Sequence, residues 1–145
     1  FGSGSGNFTL PLASRAELVT AFEVDVIACD GLRRSAEAAG LSERIEIRQG
    51  DFQKGRALAN VAFDLCDILF VDPPRSGLMG FLDPLAATER ERRPRSLIYV
   101  SCFAESFAQD TARLKEIGYT VEHLVIVDQF PQTPHFEIVS SFRHS

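Results

Sequence analysis

Short apolar runs and longer helical periods alternate along the chain, and together they predict its secondary structure. Apolar, β-branched or alternating runs predict strands at residues 24–30, 45–49, 67–72, 96–102, 121–128 and 136–142. Apolar positions at helical spacing predict helices at residues 12–22, 32–39, 53–61, 81–92 and 104–117. Strands that alternate with helices form βαβ units with a parallel sheet, whereas no helix separates the last two strands. The pattern predicts an α/β fold with a doubly wound, mostly parallel sheet and one antiparallel strand near the C-terminus.

The chain opens on a glycine turn that has no strand in front of it. A loop of this kind normally follows a strand, so we interpret residues 1–145 as one domain that is cut at or near the end of its first strand. The first strand of a doubly wound sheet lies in its middle. Loss of that strand is expected to split the sheet, and the remaining chain alone is not expected to fold stably.

Composition narrows the classes of protein that the chain can belong to. Hydrophobic residues make up 45% and charged residues 24%, which is ordinary for a globular domain, and no apolar run approaches the length of a membrane span. The 3 cysteines are an odd number without paired or metal-site spacing, which indicates a reducing, cytoplasmic setting and no metal site. A net charge of −5 does not favour binding to nucleic acid by charge alone.

Gly2, Gly4 and Gly6 are the first candidate binding residues. Glycines at such a turn allow a positive φ and a close approach of the backbone to a ligand. The Gly-x-Gly-x-Gly spacing favours a nucleoside such as S-adenosylmethionine over a dinucleotide. Asp30 ends the next predicted strand and can accept hydrogen bonds from both ribose hydroxyls, and Asp51 ends the third and can face an adenine amino group. The alternative for each acid is a surface residue at a strand end.

The segment from Asp72 through Pro73 and Pro74 to Arg75 follows another predicted strand. Proline after a strand end fixes the backbone and holds Asp72 at the mouth of a site. Methyltransferases that act on amino groups carry a similar Asp-Pro-Pro followed by an aromatic ring. Arg75 is not such a ring; its guanidinium suits a phosphate or a carboxylate, and the alternative is a solvated loop charge.

Cys102 stands where an apolar strand stops and a helix is about to begin. Ligands bind at the carboxyl ends of the strands in open α/β sheets, and a helix N-terminus stabilises the thiolate form of a cysteine. Cys102 is therefore a candidate nucleophile. The alternative is a small buried hydrophobe, an interpretation that suits Cys29 and Cys66 better.

Four segments, in order, resemble the RNA uracil-5-methyltransferases, which make 5-methyluridine in tRNA and 23S rRNA; they are residues 4–13, 72–78, 99–102 and 128–137. The resemblance implies a Rossmann-like methyltransferase catalytic domain that uses S-adenosylmethionine and binds RNA. It matches Cys102 to the nucleophile that forms a covalent adduct with uracil, Glu137 to the general base, and Asp72 to the acid near the methyl group and the target base. We expect a monomer that does not bind a membrane.

Two departures from the family's usual pattern keep a second interpretation open. Ser3 replaces a usual cysteine in the glycine loop, and Phe103 and Ala104 replace the Asn-Pro that usually follows the nucleophile. The second departure and the acidic net charge favour a catalytically inactive methyltransferase-like domain that binds RNA or a protein partner. The presence of Cys102 and Glu137, together with Asp72, favours an active enzyme.

Overall fold

The computed structural model describes residues 1–129 and 131–144. The chain forms two compact units, Phe1–Phe52 and Gln53–Ser145. The helices are α1 (Thr9–Ala13), α2 (Val26–Ala38), α3 (Leu82–Ala87) and α4 (Ala104–Glu116). The strands are β1 (Val19–Glu23), β2 (Ile45–Gln49), β3 (Ile68–Val71), β4 (Ser96–Ser101), β5 (Tyr119–Val127) and β6 (Glu137–His144).

The first unit is built on a two-stranded parallel sheet. β1 and β2 pair in register from Val19 opposite Ile45 to Glu23 opposite Gln49. The small core of this unit consists of buried residues from both helices and both strands, namely Ala13, Ala21, Leu32, Ala36 and Ile45. Because the two strands run in the same direction, their carboxyl ends lie at one edge of the sheet, beside the glycine turn.

Helix α2 begins where the side chain of Asp25 caps it. The Asp25 carboxylate accepts hydrogen bonds from the backbone N–H groups of Ile27 and Ala28 at 2.7 and 3.4 Å. The buried residues of the helix, Cys29, Leu32 and Ala36, follow helical spacing. The helix ends before Gly40, which has a φ of +68°.

Two predicted elements of this unit are wrong. Residues 12–22 do not form one helix, because α1 ends at Ala13 and β1 begins at Val19. Residues 24–30 do not form a strand, because Asp25 starts α2 within that run. The apolar, β-branched run therefore straddles a boundary between strand and helix. Asp30 consequently lies inside a helix rather than at a strand end.

The second unit is built on a four-stranded sheet in the order β3-β4-β6-β5. β3 and β4 are parallel, and β6 is antiparallel to both of its neighbours. The prediction of one antiparallel strand near the C-terminus is therefore confirmed. The described strands form separate two-stranded and four-stranded sheets.

The predicted strands of the second unit are present, with ends shifted by up to two residues, whereas two of its predicted helices are shorter than predicted. The weak helix at residues 53–61 is a 3₁₀ turn at Gly55–Leu58, and the helix at 81–92 is reduced to α3 with a 3₁₀ turn on either side. The predicted loop at residues 130–135 includes Phe130, which lies outside the described residues. Large side chains fill the core of the unit, including the fully buried Tyr99, Tyr119, Phe81 and Phe142. In the described part of the chain, no helix has the length and apolar character that crossing a membrane requires.

Candidate active site

The glycine turn of the first unit is built on positive φ angles. Gly2, Gly4 and Gly6 have φ values of 73°, 50° and 105°. A Cβ added at Gly4 would meet nothing within 4 Å, so only the backbone conformation favours glycine there. A Cβ at Gly6 would lie 2.6 Å from Leu32 Cδ1, so glycine at that position also allows the turn to pack against α2. The turn therefore leaves open space above Gly4.

Glu23, the last residue of β1, holds this turn. Its carboxylate accepts hydrogen bonds from the N–H of Gly4 at 2.8 Å, of Val24 at 2.8 Å and of Asp25 at 2.9 Å. The sequence analysis missed this residue because it misplaced the strand. Recognising Asp25 as a helix cap would have ended the strand at Glu23.

Two acids were predicted to bind the cofactor from strand ends. Asp30 lies on α2 with a side chain that is 58% exposed, and it forms an ion pair with Arg33 at 2.5 Å. The strand-end argument therefore does not apply to Asp30, and the prediction loses its physical basis. Asp51 follows β2 after Gly50, whose N–H donates to the backbone carbonyl of Glu23 at 2.9 Å. Asp51 thus lies just beyond a strand end, as predicted.

In the second unit, the pairing of β4 with β6 places Cys102 and Glu137 at the same edge of the sheet. The last pair between β4 and the antiparallel β6 is Ser101 opposite Ile138. Cys102 follows β4 directly, and Glu137 is the first residue of β6. Cys102 is exposed, so its thiol is accessible at the edge where Glu137 begins β6.

Asp72 follows β3 at the same edge of this sheet. Its carboxylate forms no hydrogen bond within residues 1–129 and 131–144. Burial, and to a lesser extent the charge of Glu137, raise the pKa of Asp72 to about 6. The edge therefore carries an accessible thiol and two carboxyl groups in different environments.

Arg75 lies in a turn that follows Asp72 and two prolines. The N–H of Gly77 donates to the carbonyl of Pro74 at 2.9 Å and closes the turn. Arg75 is exposed and has no ion-pair partner in the part of the chain that the structure describes. Its guanidinium is thus available to an anion. Among those same residues, no group of His, Cys, Asp or Glu side chains is arranged to hold a metal ion.

The fold and this edge define the class of protein. A glycine turn beside a parallel pair, together with a sheet that carries a thiol and carboxylates at its strand ends, is typical of α/β methyltransferases that act on a base. The chain belongs to the tRNA (uracil-5-)-methyltransferase family, whose model matches residues 2–142.

Individual relatives agree with this membership. An uncharacterized RNA methyltransferase of Bdellovibrio bacteriovorus is 45% identical over 144 residues, which cover 96% of this chain and 36% of that protein. A 23S rRNA (uracil(747)-C(5))-methyltransferase of Pyrococcus abyssi is 36% identical over 141 residues, covering 97% of this chain and 32% of that protein. The chain thus spans about a third of the length of these relatives.

A solved structure gives the same result for the fold. The crystal structure of Pyrococcus abyssi tRNA (uracil-54, C5)-methyltransferase in complex with S-adenosyl-L-homocysteine has a TM-score of 0.78 and 31% identity, and the match covers 97% of this chain and 32% of that one. The chain therefore has the fold of a methyltransferase catalytic domain.

Proposed function

We propose that this chain is the catalytic domain of an enzyme that methylates carbon 5 of a uridine in RNA, with S-adenosylmethionine as methyl donor. The observation that carries the proposal is that Cys102, Glu137 and Asp72 all lie at one edge of the four-stranded sheet, at the ends of β4, β6 and β3. Family membership and the relatives named for this reaction support it.

The glycine turn and Glu23 are the residues of the first unit that fit the cofactor. Positive φ angles at the turn and the open space at Gly4 suit the close approach of a nucleoside. We assign the ribose hydroxyls to Glu23, which occupies the strand end that the sequence analysis gave to Asp30. Asp51 is the candidate partner of the adenine amino group. When bound, S-adenosylmethionine supplies an electrophilic methyl group.

Cys102 and Glu137 divide the chemistry between them. The Cys102 thiolate adds to carbon 6 of uracil, which forms a C–S bond and moves the electrons of the double bond onto carbon 5 and the neighbouring carbonyl. Carbon 5 becomes a nucleophile and takes up the methyl group of the donor, so that the sulfonium carbon–sulfur bond breaks and a neutral thioether leaves. Glu137 then removes the proton from carbon 5, the double bond re-forms, and the thiolate leaves.

Asp72 and Arg75 position the RNA in this proposal. An ionised Asp72 can accept a hydrogen bond from N3–H of uracil, and a protonated Asp72 can donate one to a carbonyl. Its pKa of about 6 brings both states within reach near neutral pH. Arg75 suits a backbone phosphate. The target base must leave its stack to reach Cys102, because a stacked base shields carbon 6.

The relatives indicate which RNAs to test. Their names specify uridines of 23S rRNA and a uridine of tRNA. We propose that one of these two RNA classes is the substrate. No disulfide joins Cys29, Cys66 and Cys102, which fits a reducing cytoplasmic compartment. A monomeric enzyme remains our prediction.

The decisive test uses the full-length protein with unmodified tRNA and 23S rRNA transcripts and a radiolabelled methyl donor. Wild-type protein should form 5-methyluridine in one transcript, and Cys102→Ala should form none while still binding it. Cys66→Ala is the matched control, because Cys66 lies before β3, at the opposite end of that strand from Asp72. Binding without methylation by the wild type would favour the inactive RNA-binding domain instead.

A further inference from the structure

The turn that carries Arg75 is rigid within itself. Pro74 is its first residue and Pro73 precedes it, so both restrict the entry of the chain, and the hydrogen bond from Gly77 N–H to Pro74 O closes the turn. Arg75 takes the second position of this turn. Rigidity alone does not aim the guanidinium, because a rigid turn can pivot about its ends. The orientation of the turn must be set by groups outside it.

Asp110 of α4 holds the C-terminal end of the turn. One oxygen of its carboxylate, Oδ2, accepts the backbone N–H of Leu78 at 2.8 Å and the hydroxyl of Tyr99 at 2.6 Å. Gly77 has a φ of +76°, and a Cβ there would collide with the same oxygen. Glycine is therefore required for this carboxylate to reach the backbone.

A second side chain holds the same segment from another direction. Nε2 of Gln53 donates to the carbonyl of Gly77 at 2.5 Å and to Oγ of Ser76 at 2.8 Å. Together with Asp110, it ties three successive residues of the turn and its exit. The turn is therefore fixed at its C-terminal side, while Arg75 remains exposed.

Asp110 is an unusual residue to find on the buried face of a helix. It is only 7% exposed, between Phe107 and Leu114 at helical spacing, and it forms no ion pair within the described residues. A buried carboxylate costs stability unless donors compensate it. Burial and this hydrogen bond raise the pKa of Tyr99 above its usual range, so the hydroxyl stays a donor.

The position of Tyr99 in its strand connects its hydrogen bond with Asp110 to the nucleophile. Tyr99 lies in β4, three residues before Cys102. The carboxylate of Asp110 thus connects the strand that leads to the nucleophile with the turn that carries Arg75. A shift of β4 or of the turn would change the distance between the Cys102 thiol and the Arg75 guanidinium.

We propose that Tyr99 and Asp110 are positioning residues that set the turn of Arg75 relative to β4, so that its guanidinium meets a phosphate of the RNA whose uridine Cys102 attacks. The proposal rests on the proposed function and adds the residues that align the phosphate contact with the nucleophile. Neither Tyr99 nor Asp110 touches substrate, since both are buried.

The chain contains a matched control for this proposal. Tyr99 and Tyr119 are both fully buried, at 0% and 1% exposure, and each hydroxyl donates one hydrogen bond, to Asp110 at 2.6 Å and to Pro94 O at 2.7 Å. Tyr99→Phe and Tyr119→Phe should lower the melting temperature of the full-length protein similarly. Pro94 precedes β4, whereas Cys102 follows it, so only Tyr99→Phe removes a bond near the turn.

The measurement uses the unmodified transcript that the wild type methylates. Both its KM in the methylation assay and its Kd are determined. Tyr99→Phe should raise both about 10-fold, while Tyr119→Phe should leave them unchanged. Affinity for S-adenosylmethionine should be unchanged in both variants. Equal effects of the two variants on KM and Kd would overturn the proposal and leave Tyr99 a structural residue.

A double-mutant cycle with Arg75→Ala separates positioning from general stability. If Tyr99 acts through Arg75, Tyr99→Phe should have no further effect on Kd once Arg75 is alanine. Additive effects would contradict the proposal. Asp110→Asn, which keeps an acceptor oxygen, should retain more RNA affinity than Asp110→Ala. If the wild type binds RNA without methylating it, the proposed function fails, but the Kd cycle still decides the role of Tyr99.

Discussion

Glu23 and Asp72 are carboxylates at strand ends in different units, and their surroundings are opposite. Glu23 receives three backbone N–H donors, from Gly4, Val24 and Asp25. Asp72 receives none within the described residues, and burial together with Glu137 raises its pKa to about 6. The first carboxylate organises its own loop. The second receives no hydrogen-bond donor from the described residues, which is the arrangement expected of a group that meets a substrate.

The comparison teaches that the position of an acid in an α/β fold does not determine its role. A strand-end carboxylate with several donors stabilises the fold, and it shapes a binding loop through the backbone. A strand-end carboxylate with no donor destabilises the fold at neutral pH and is retained for function. Each prediction below changes one side of this contrast.

The largest effect is expected for Glu23→Ala, which leaves three N–H groups without their acceptor. We expect the free energy of unfolding to fall by about 2–3 kcal/mol, since hydrogen bonds to charged groups are worth more than neutral ones. Affinity for S-adenosylmethionine should fall about 10-fold to 100-fold. Chemical denaturation and calorimetry on the full-length protein measure the two quantities.

Asp30→Ala is the matched control for Glu23→Ala. The Asp30–Arg33 ion pair is exposed, with side chains 58% and 53% accessible, so its loss should change stability by less than about 0.5 kcal/mol. Cofactor affinity should not change. A strong loss of affinity in Asp30→Ala with none in Glu23→Ala would restore the original assignment of the ribose to Asp30.

Asp72→Asn should act in the opposite direction on stability. The raised pKa means that the folded protein disfavours the ionised form, so Asp72 costs stability that builds up as the pH rises from about 4 to about 6. At pH 7.5 the variant should be more stable by about 1–2 kcal/mol, because solvent that still reaches the carboxylate reduces the full cost. At pH 4 the gain should vanish, since Asp72 is then protonated.

Methyl transfer should be lost in Asp72→Asn even as the melting temperature rises at neutral pH. Thermal melts at both pH values and a methylation assay at neutral pH check the prediction. A variant that is less stable than the wild type at pH 7.5 would show that the protein compensates Asp72 after all.

The smallest effect is expected on the titration of Asp72 in Glu137→Gln. The charge of Glu137 is the lesser cause of the raised pKa, so its removal should lower the pKa of Asp72 while burial keeps it above the usual range. Carboxyl-carbon NMR of labelled aspartate gives the titration curve. An unchanged curve would mean that the two carboxylates do not interact.

The two units also differ in how far their sequences predict their folds. In the second unit, strands end at clear breaks, such as Pro73 after β3 and the helix start after Cys102, and the antiparallel strand near the C-terminus was predicted correctly. In the first unit, the apolar run from Leu18 to Cys29 contains no glycine or proline, so periodicity alone could not separate the strand from the helix. The Asp25 cap was the missing signal.

The candidate site shows the same limit at longer range. Cys102 and Glu137 could be proposed from sequence, but their placement at one sheet edge depends on the pairing of β4 with β6, which no local pattern specifies. The bond between Tyr99 and Asp110 was likewise missed, although an acid between Phe107 and Leu114 on a helix face already indicated a buried partner.

The most direct test of the account is the fate of the covalent adduct in Glu137→Gln. Loss of the base slows proton removal by about 10²–10⁴-fold, while Cys102 can still add and carbon 5 can still be methylated. The full-length variant is incubated with cofactor and the unmodified transcript that the wild type methylates. It should accumulate a methylated RNA–protein adduct that survives a denaturing gel. Glu122→Gln, which changes a β5 carboxylate bound to Arg143, should behave like the wild type. Normal turnover by Glu137→Gln, or 5-methyluridine formed without any adduct, would contradict the roles assigned to Cys102 and Glu137.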